Sequence, residues 1–195
     1  GANFMDGVNT LFLGYFFLLS IVCLLLITKL DFVYDVQNFK TMFIIIGIIL
    51  FFNLFGKLFS GDSGAYLISF IFGYFLIDLV SITEKISPYF AVCLLWYPAY
   101  ECLFSIIRKK ITNKPVTEPD NRHLHHLIFI FLEKKIKLKG NILNSSTGLF
   151  INLFNILIFY AAMQNISQTK NLILLISISL IFYNFIYFCL SKNFK

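Results

Sequence analysis

The sequence predicts an all-α, polytopic membrane protein, and three observations carry that prediction. Hydrophobic residues make up 58% of the chain and charged residues 13%, with a mean hydropathy of +0.81. Soluble domains run at about 45–50% apolar and about 25% charged, so the bilayer is the expected solvent here. Six apolar runs approach the roughly 20 residues that a helix needs to span a bilayer. The net charge is concentrated in one segment between the fourth and fifth runs.

The runs lie at residues 11–28, 39–55, 65–82, 88–107, 143–163 and 172–190. The second is the shortest, and the third carries Asp78 near its end. Between residues 108 and 139 stand nine cations: Arg108, Lys109, Lys110, Lys114, Arg122, Lys134, Lys135, Lys137 and Lys139. Only Glu118, Asp120 and Glu133 oppose them, so this segment holds the whole of the chain's +6 charge. Loops rich in Lys and Arg stay on the cytoplasmic side. Parity then puts residues 1–10, 56–64 and 108–142 and the C-terminus on the cytoplasmic face, with short connections outside. Residues 1–195 read as a single transmembrane domain, with 108–142 a long basic cytoplasmic loop.

Inside that loop, Pro115 and Pro119 keep residues 111–122 extended or turned, because proline lacks an amide donor and restricts its neighbour. From His123 on, Leu124, Leu127, Ile128, Phe131 and Leu132 recur at helical spacing, followed by four lysines. Two readings are open: an interfacial amphipathic helix with its cations at headgroup level, or a solvated basic tail. Cys23, Cys93, Cys102 and Cys189 are isolated in apolar surroundings with no CxxC spacing, which predicts buried structural thiols.

Three polar clusters remain. In Gly61-Asp62-Ser63-Gly64 a carboxylate flanked by small residues precedes an apolar run. It could cap that helix, or meet a cation or phosphate at its positive end. In Asn3-Phe4-Met5-Asp6-Gly7-Val8-Asn9, Asp6 and Asn9 lie three apart, with Asn3 one turn earlier, on one stripe if the chain is helical. Short oxygen-bearing side chains suit a hard cation or a polar ligand, or simply an Asx-rich turn. The segment Pro119-Asp120-Asn121-Arg122-His123-Leu124-His125-His126 holds all three histidines of the chain. Three imidazoles so close in sequence cannot easily close one tetrahedral zinc site, and no cysteine completes it. Imidazole with guanidinium is better suited to phosphate oxygens.

Taken together, Asn3-Phe-Met-Asp6-Gly, Asn53-Leu-Phe-Gly-Lys57-Leu-Phe-Ser-Gly-Asp62-Ser-Gly, Pro98…Arg108-Lys109 and the histidine segment, in that order and on one face, closely resemble the polyprenyl-phosphate N-acetylhexosamine-1-phosphate transferases. These are the MraY/WecA-like integral membrane enzymes. The resemblance implies transfer of a sugar-1-phosphate from a UDP-N-acetylhexosamine to a polyprenyl phosphate such as undecaprenyl phosphate, releasing UMP. It implies a multi-pass protein of the bacterial inner membrane whose active face is cytoplasmic, initiating an envelope glycan such as O-antigen. Asp62 matches the family's metal-binding carboxylate and Asp6 the acidic residue of its NxxDG motif, so both are the expected catalytic pair. Asn3, Asn9, Asn53, Arg122, His123, His125 and His126 are the expected substrate-binding residues. Mg²⁺ is the implied cofactor, with Mn²⁺ an alternative. The lipid bilayer is an expected partner, a homodimer is compatible with the family, and no nucleic-acid partner is expected.

The chain also departs from that pattern. The family's upstream Asp-Asp motif has no counterpart, and the chain opens on Gly-Ala-Asn at the first motif, so a C-terminal portion of a larger transferase is expected. Glu101 stands where Asp is more frequent, and either serves the site or pairs with Arg108. Thr10 stands where Gly is frequent, which puts uridine contacts through Asn9 in doubt. Two other readings compete: an inactive remnant of the same fold, and a non-enzymatic membrane protein binding anionic lipid through its basic loop.

Overall fold

The structure is a computed structural model that describes residues 1–29, 36–113, 115 and 122–192. The expectations for Lys114, Glu118, Pro119, Asp120 and Asn121 lie outside the described residues. Among the described residues, the chain opens with a 3-10 turn, Ala2–Met5, and continues through eight helices. These are α1 (Leu11–Lys29), α2 (Val36–Leu54), α3 (Gly61–Ile82), α4 (Pro88–Leu94), α5 (Trp96–Ile111), α6 (Leu124–Ile136), α7 (Gly140–Gln164) and α8 (Thr169–Lys192).

Four of them, α1, α3, α7 and α8, are long and apolar enough to cross a membrane, and a fifth span results if α4 and α5 count as one bent pair. The expected second run is a shorter apolar helix over Phe39–Leu54. Helix α1 is apolar on all sides and buried along most of its length, from Leu11 and Phe12 through Leu19 to Leu26. That marks the centre of a bundle. Helices α3 and α8 turn large apolar side chains outward, among them Phe70, Ile77, Ile181 and Phe185. Such a surface suits lipid as the solvent.

The expected single helix at 88–107 is in fact broken at Leu95, with a 69° bend between α4 and α5. Pro98 is the physical reason. It has no N–H to give to the carbonyl of Leu94, and its ring crowds that carbonyl. The freed Leu94 oxygen instead accepts the Tyr15 hydroxyl of α1 at 2.6 Å. Trp96 Nε1, just past the break, donates to Asn155 Oδ1 of α7 at 3.1 Å. Helix α3 begins earlier than the run at 65–82 suggests, so Asp62 lies in its first turn. The thiols divide: Cys23 and Cys93 are buried as expected, whereas Cys102 is half-buried and Cys189 exposed.

Thr10 is the junction at which three helices meet. Its backbone lies in the left-handed region (φ 66°), strained for a β-branched residue. Four hydrogen bonds hold it there. Its N–H donates to Asn53 Oδ1 (2.6 Å), and its hydroxyl to the Ser145 carbonyl (2.8 Å). Its carbonyl accepts from Asn152 Nδ2 (2.8 Å) and from the Gly14 amide (2.9 Å). Asn53 also donates to the Leu58 carbonyl at 2.8 Å. Gly148 lets α7 approach so closely that a Cβ there would run into Asn9 O, Leu11 N and Thr10 Oγ1.

Gly148→Ala should therefore cost about 1–3 kcal/mol of stability, since backbone atoms cannot move aside. Thr10→Gly should be close to neutral. It relieves about 1–2 kcal/mol of left-handed strain and loses one hydrogen bond worth about 0.5–1.5 kcal/mol. Thr10→Val keeps the strain and loses the bond, so it should be the less stable of the two. Unfolding in detergent micelles ranks the three variants, and equal stability of Thr10→Gly and Thr10→Val would contradict this account.

Candidate functional site

Three segments far apart in sequence meet at one end of the bundle. Asn3, Phe4, Asp6, Gly7, Asp62, His123, His125 and His126 line a single open cavity of about 300 Å³. The first four come from the N-terminal turn, Asp62 from the start of α3, and the histidines from the N-terminal end of α6. Six of the nine expected site residues thus share one space.

Asp6 closes the 3-10 turn and is half-buried. It accepts the Ser60 hydroxyl at 2.8 Å. Ser60 stands at the N-cap position of α3 but makes no side-chain cap there. Its hydroxyl serves Asp6 instead. Burial pushes the Asp6 carboxyl above its ordinary range; the Ser60 bond opposes this, and the charge of Asp62 adds to it. Asn3 reaches the Tyr66 hydroxyl at 3.5 Å.

The histidines are set by α6. His123 is the N-cap residue in extended conformation, and His125 and His126 lie in the first turn. The buried stripe Leu124, Leu127, Ile128 and Leu132 packs the helix onto the bundle, as its spacing predicts, while Phe131 is exposed. His123 and His125 rings are parallel to within 6° at 5.5 Å, and His125 and His126 stand 4.3 Å apart. His125 is 1% exposed, and neither ring nitrogen has a partner. Burial, then the neighbouring His126 and His123, hold it well below the ordinary histidine value, so it is neutral at pH 7. A neutral imidazole offers one donor and one acceptor. Leaving both unmet costs about 1–3 kcal/mol each, a debt that a ligand can relieve. Gly7 makes room for this ring: a Cβ there would lie 2.5 Å from His125 Nε2.

The other three expected residues are placed differently. Asn53 spends its side chain on Thr10 and Leu58, as described above. Asn9 is buried beside Asn144, whose Oδ1 accepts its backbone amide at 3.0 Å, and it is not among the residues lining the cavity. Arg122 is exposed, and its carbonyl accepts from Arg108. Glu101 binds His123, the Leu124 amide and Tyr183. Arg108 reaches Tyr187 at 2.9 Å and Ser105 at 3.4 Å.

Among the described residues, no three His, Cys, Asp or Glu side chains cluster as a closed metal site. The donor set still fits Mg²⁺, which takes one or two carboxylates and completes its shell with water and substrate phosphates. Asp6 and Asp62 provide two such carboxylates at one cavity, close enough to repel each other.

The Asp6 shift fixes the sign of a pH effect. Its folded-state affinity for the proton exceeds the unfolded one. Its ionisation therefore removes stability as pH rises from the ordinary carboxylate value through the raised one. Asp6→Asn should escape that loss. Its Tm relative to wild type should climb across this window in metal-free buffer, and adding Mg²⁺ should narrow the gap by stabilising only the wild type. A constant difference at all pH values would show that burial does not raise the Asp6 carboxyl.

No family model and no solved structure matches the chain. Among curated proteins, it is 26% identical to the "Probable undecaprenyl-phosphate N-acetylglucosaminyl 1-phosphate transferase" of Bacillus subtilis, over 64% of this chain and 38% of that one. It is 31% identical to the "Undecaprenyl-phosphate alpha-N-acetylglucosaminyl 1-phosphate transferase" of Thermotoga maritima, over 51% of this chain and 32% of that one. The chain thus spans about a third of the length of these relatives, and both are named as undecaprenyl-phosphate N-acetylglucosaminyl 1-phosphate transferases.

Proposed function

We propose that this chain carries the phosphate-handling part of a polyprenyl-phosphate sugar-1-phosphate transferase. The observation that carries the reading is the cavity itself. Two carboxylates and three histidines, one of them buried with both nitrogens unpartnered, converge at one end of a membrane bundle. Distant similarity to two enzymes named for this activity supports it.

In this reaction an oxygen of the lipid phosphate forms a bond to the sugar-bearing phosphorus of a UDP-N-acetylhexosamine. The bond from that phosphorus to the UMP oxygen breaks, and UMP leaves with the electron pair. Both reactants are anions, so the site must hold opposing charges together. Mg²⁺, held by Asp6 and Asp62, would neutralise phosphate charge when bound. A phosphate monoester has its second pKa near about 6. The lipid phosphate is thus already largely dianionic at neutral pH, and no general base is required. Asp6 accordingly acts as a positioning carboxylate, fixed by Ser60. His125 gives its unmet donor and acceptor to the sugar or diphosphate, and His123 and His126 line the same wall. A lipid substrate requires a site at the membrane surface, which is where the basic loop and both carboxylate motifs are expected by parity.

The test is UMP release from UDP-N-acetylglucosamine with undecaprenyl phosphate and Mg²⁺, using the protein in lipid nanodiscs. Asp62→Ala and His125→Ala should each reduce the rate by about 100-fold or more, the scale of losing one fixed charge-stabilising group. Full activity in both variants would overturn the site assignment.

A further inference from the structure

Behind the histidine wall lies a second layer of polar residues that phosphate binding alone does not explain. Glu101 of α5 is 1% exposed, and three groups satisfy it. Its Oε1 lies 2.8 Å from His123 Nδ1 and accepts from the Leu124 amide at 3.3 Å. Its Oε2 accepts the hydroxyl of Tyr183, from α8, at 2.6 Å. Tyr183 is also 1% exposed.

We propose that Glu101 and Tyr183 are positioning residues for His123. They turn its Nδ1 into the bundle, so that Nε2 is the atom offered to a phosphate oxygen in the cavity. The proposal rests on the reading of that cavity as a phosphate site.

Glu101 Oε1 already accepts the Leu124 amide and Oε2 the Tyr183 hydroxyl, so the proton between His123 and Glu101 is placed on Nδ1. The bond at one imidazole nitrogen decides the role of the other. With Nδ1 committed, Nε2 is a bare acceptor in the neutral ring and a donor in the cation. Only the cation can bridge a carboxylate behind and a phosphate in front, since both partners are anions. Tyr183 occupies the second carboxylate oxygen, which stops the group from rotating away from His123. Other titratable or charged groups face this unit. His125 and His126 adjoin the ring on α6 and disfavour a second cation there. Asp6 and Asp62 share the cavity, and Arg108 lies near Tyr183. The wall therefore divides its labour: His125 is a neutral donor and acceptor, and His123, braced at Nδ1, presents Nε2 to the cavity.

The test uses the chain labelled with ¹⁵N-histidine in nanodiscs, with His123 assigned by its loss in His123→Gln. The Nδ1-bound proton of His123 should be strongly deshielded. It should shift upfield in Tyr183→Phe and lose its Nδ1 preference in Glu101→Gln. Inorganic pyrophosphate should perturb Nε2 of His123, and Glu101→Gln should abolish that effect. Where Glu101→Gln does not fold, Tyr183→Phe alone decides, since it keeps the ring and removes one hydroxyl. In the transfer assay, Tyr183→Phe should lower kcat/KM about threefold to tenfold, the worth of one hydrogen bond. It should have no further effect in a His123→Gln background, whereas a mere brace would act equally in both. A His123 proton resident on Nε2 without ligand, or unmoved by Tyr183→Phe, overturns the proposal. The spectra need no turnover, so an inactive chain with the expected spectra counts against the transferase reading alone.

Discussion

The structure turns on one buried carboxylate. A charge inside an apolar bundle is tolerated only when its lone pairs are filled, and breaking such a set costs about 3–5 kcal/mol. Glu101 has its partners in His123, the Leu124 amide and Tyr183, so α5, the start of α6 and α8 are obliged to meet. That obligation puts the histidines where they are. The sequence before α6 carries Pro115 and Pro119. The carboxylate gives the helix a fixed origin.

A second polar knot does the same for the carboxylates of the cavity. Asn53, Asn144 and Asn152 act as substitutes for backbone: each supplies an amide or carbonyl where the chain leaves helical geometry around Asn9 and Thr10. Amide side chains can do this without carrying charge into the apolar interior. The N-terminal turn is thereby tied to α2 and α7, and Ser60 carries the tie on to α3. Asp6 and Asp62 face each other because both sit on short leads from this knot.

Much of this was legible in the sequence, and the remainder was hidden for identifiable reasons. Long apolar runs announced α1, α7 and α8 to within three residues at each end, since hydrophobicity over about 20 positions is a strong signal. The break at Leu95 lay inside such a run, where Pro98 was the only mark of it. Asp6, Asp62 and the histidines could be picked out because charged and ionisable residues are rare in so apolar a chain. Asn53 looked equally like a ligand group, yet its side chain is taken by Thr10 and Leu58. A buried amide that supports a turn and one that binds a substrate are the same residue, and only the partner tells them apart. Ser60 and Tyr183 went unread because their partners lie 54 and 82 residues away. No local pattern encodes a contact of that span.

Pro98 and Tyr15 illustrate how such contacts are inherited. Proline at 98 leaves the Leu94 carbonyl open, and the Tyr15 hydroxyl, 79 residues away from that carbonyl, closes it. Neither residue is free to drift alone. With an amide-bearing residue at 98, the helix would reclaim its own carbonyl and strand a phenol in the core. With phenylalanine at 15, the bend would keep an unmet oxygen. The two positions are expected to vary together, with descendants of this chain retaining both or having lost the elbow with its strut.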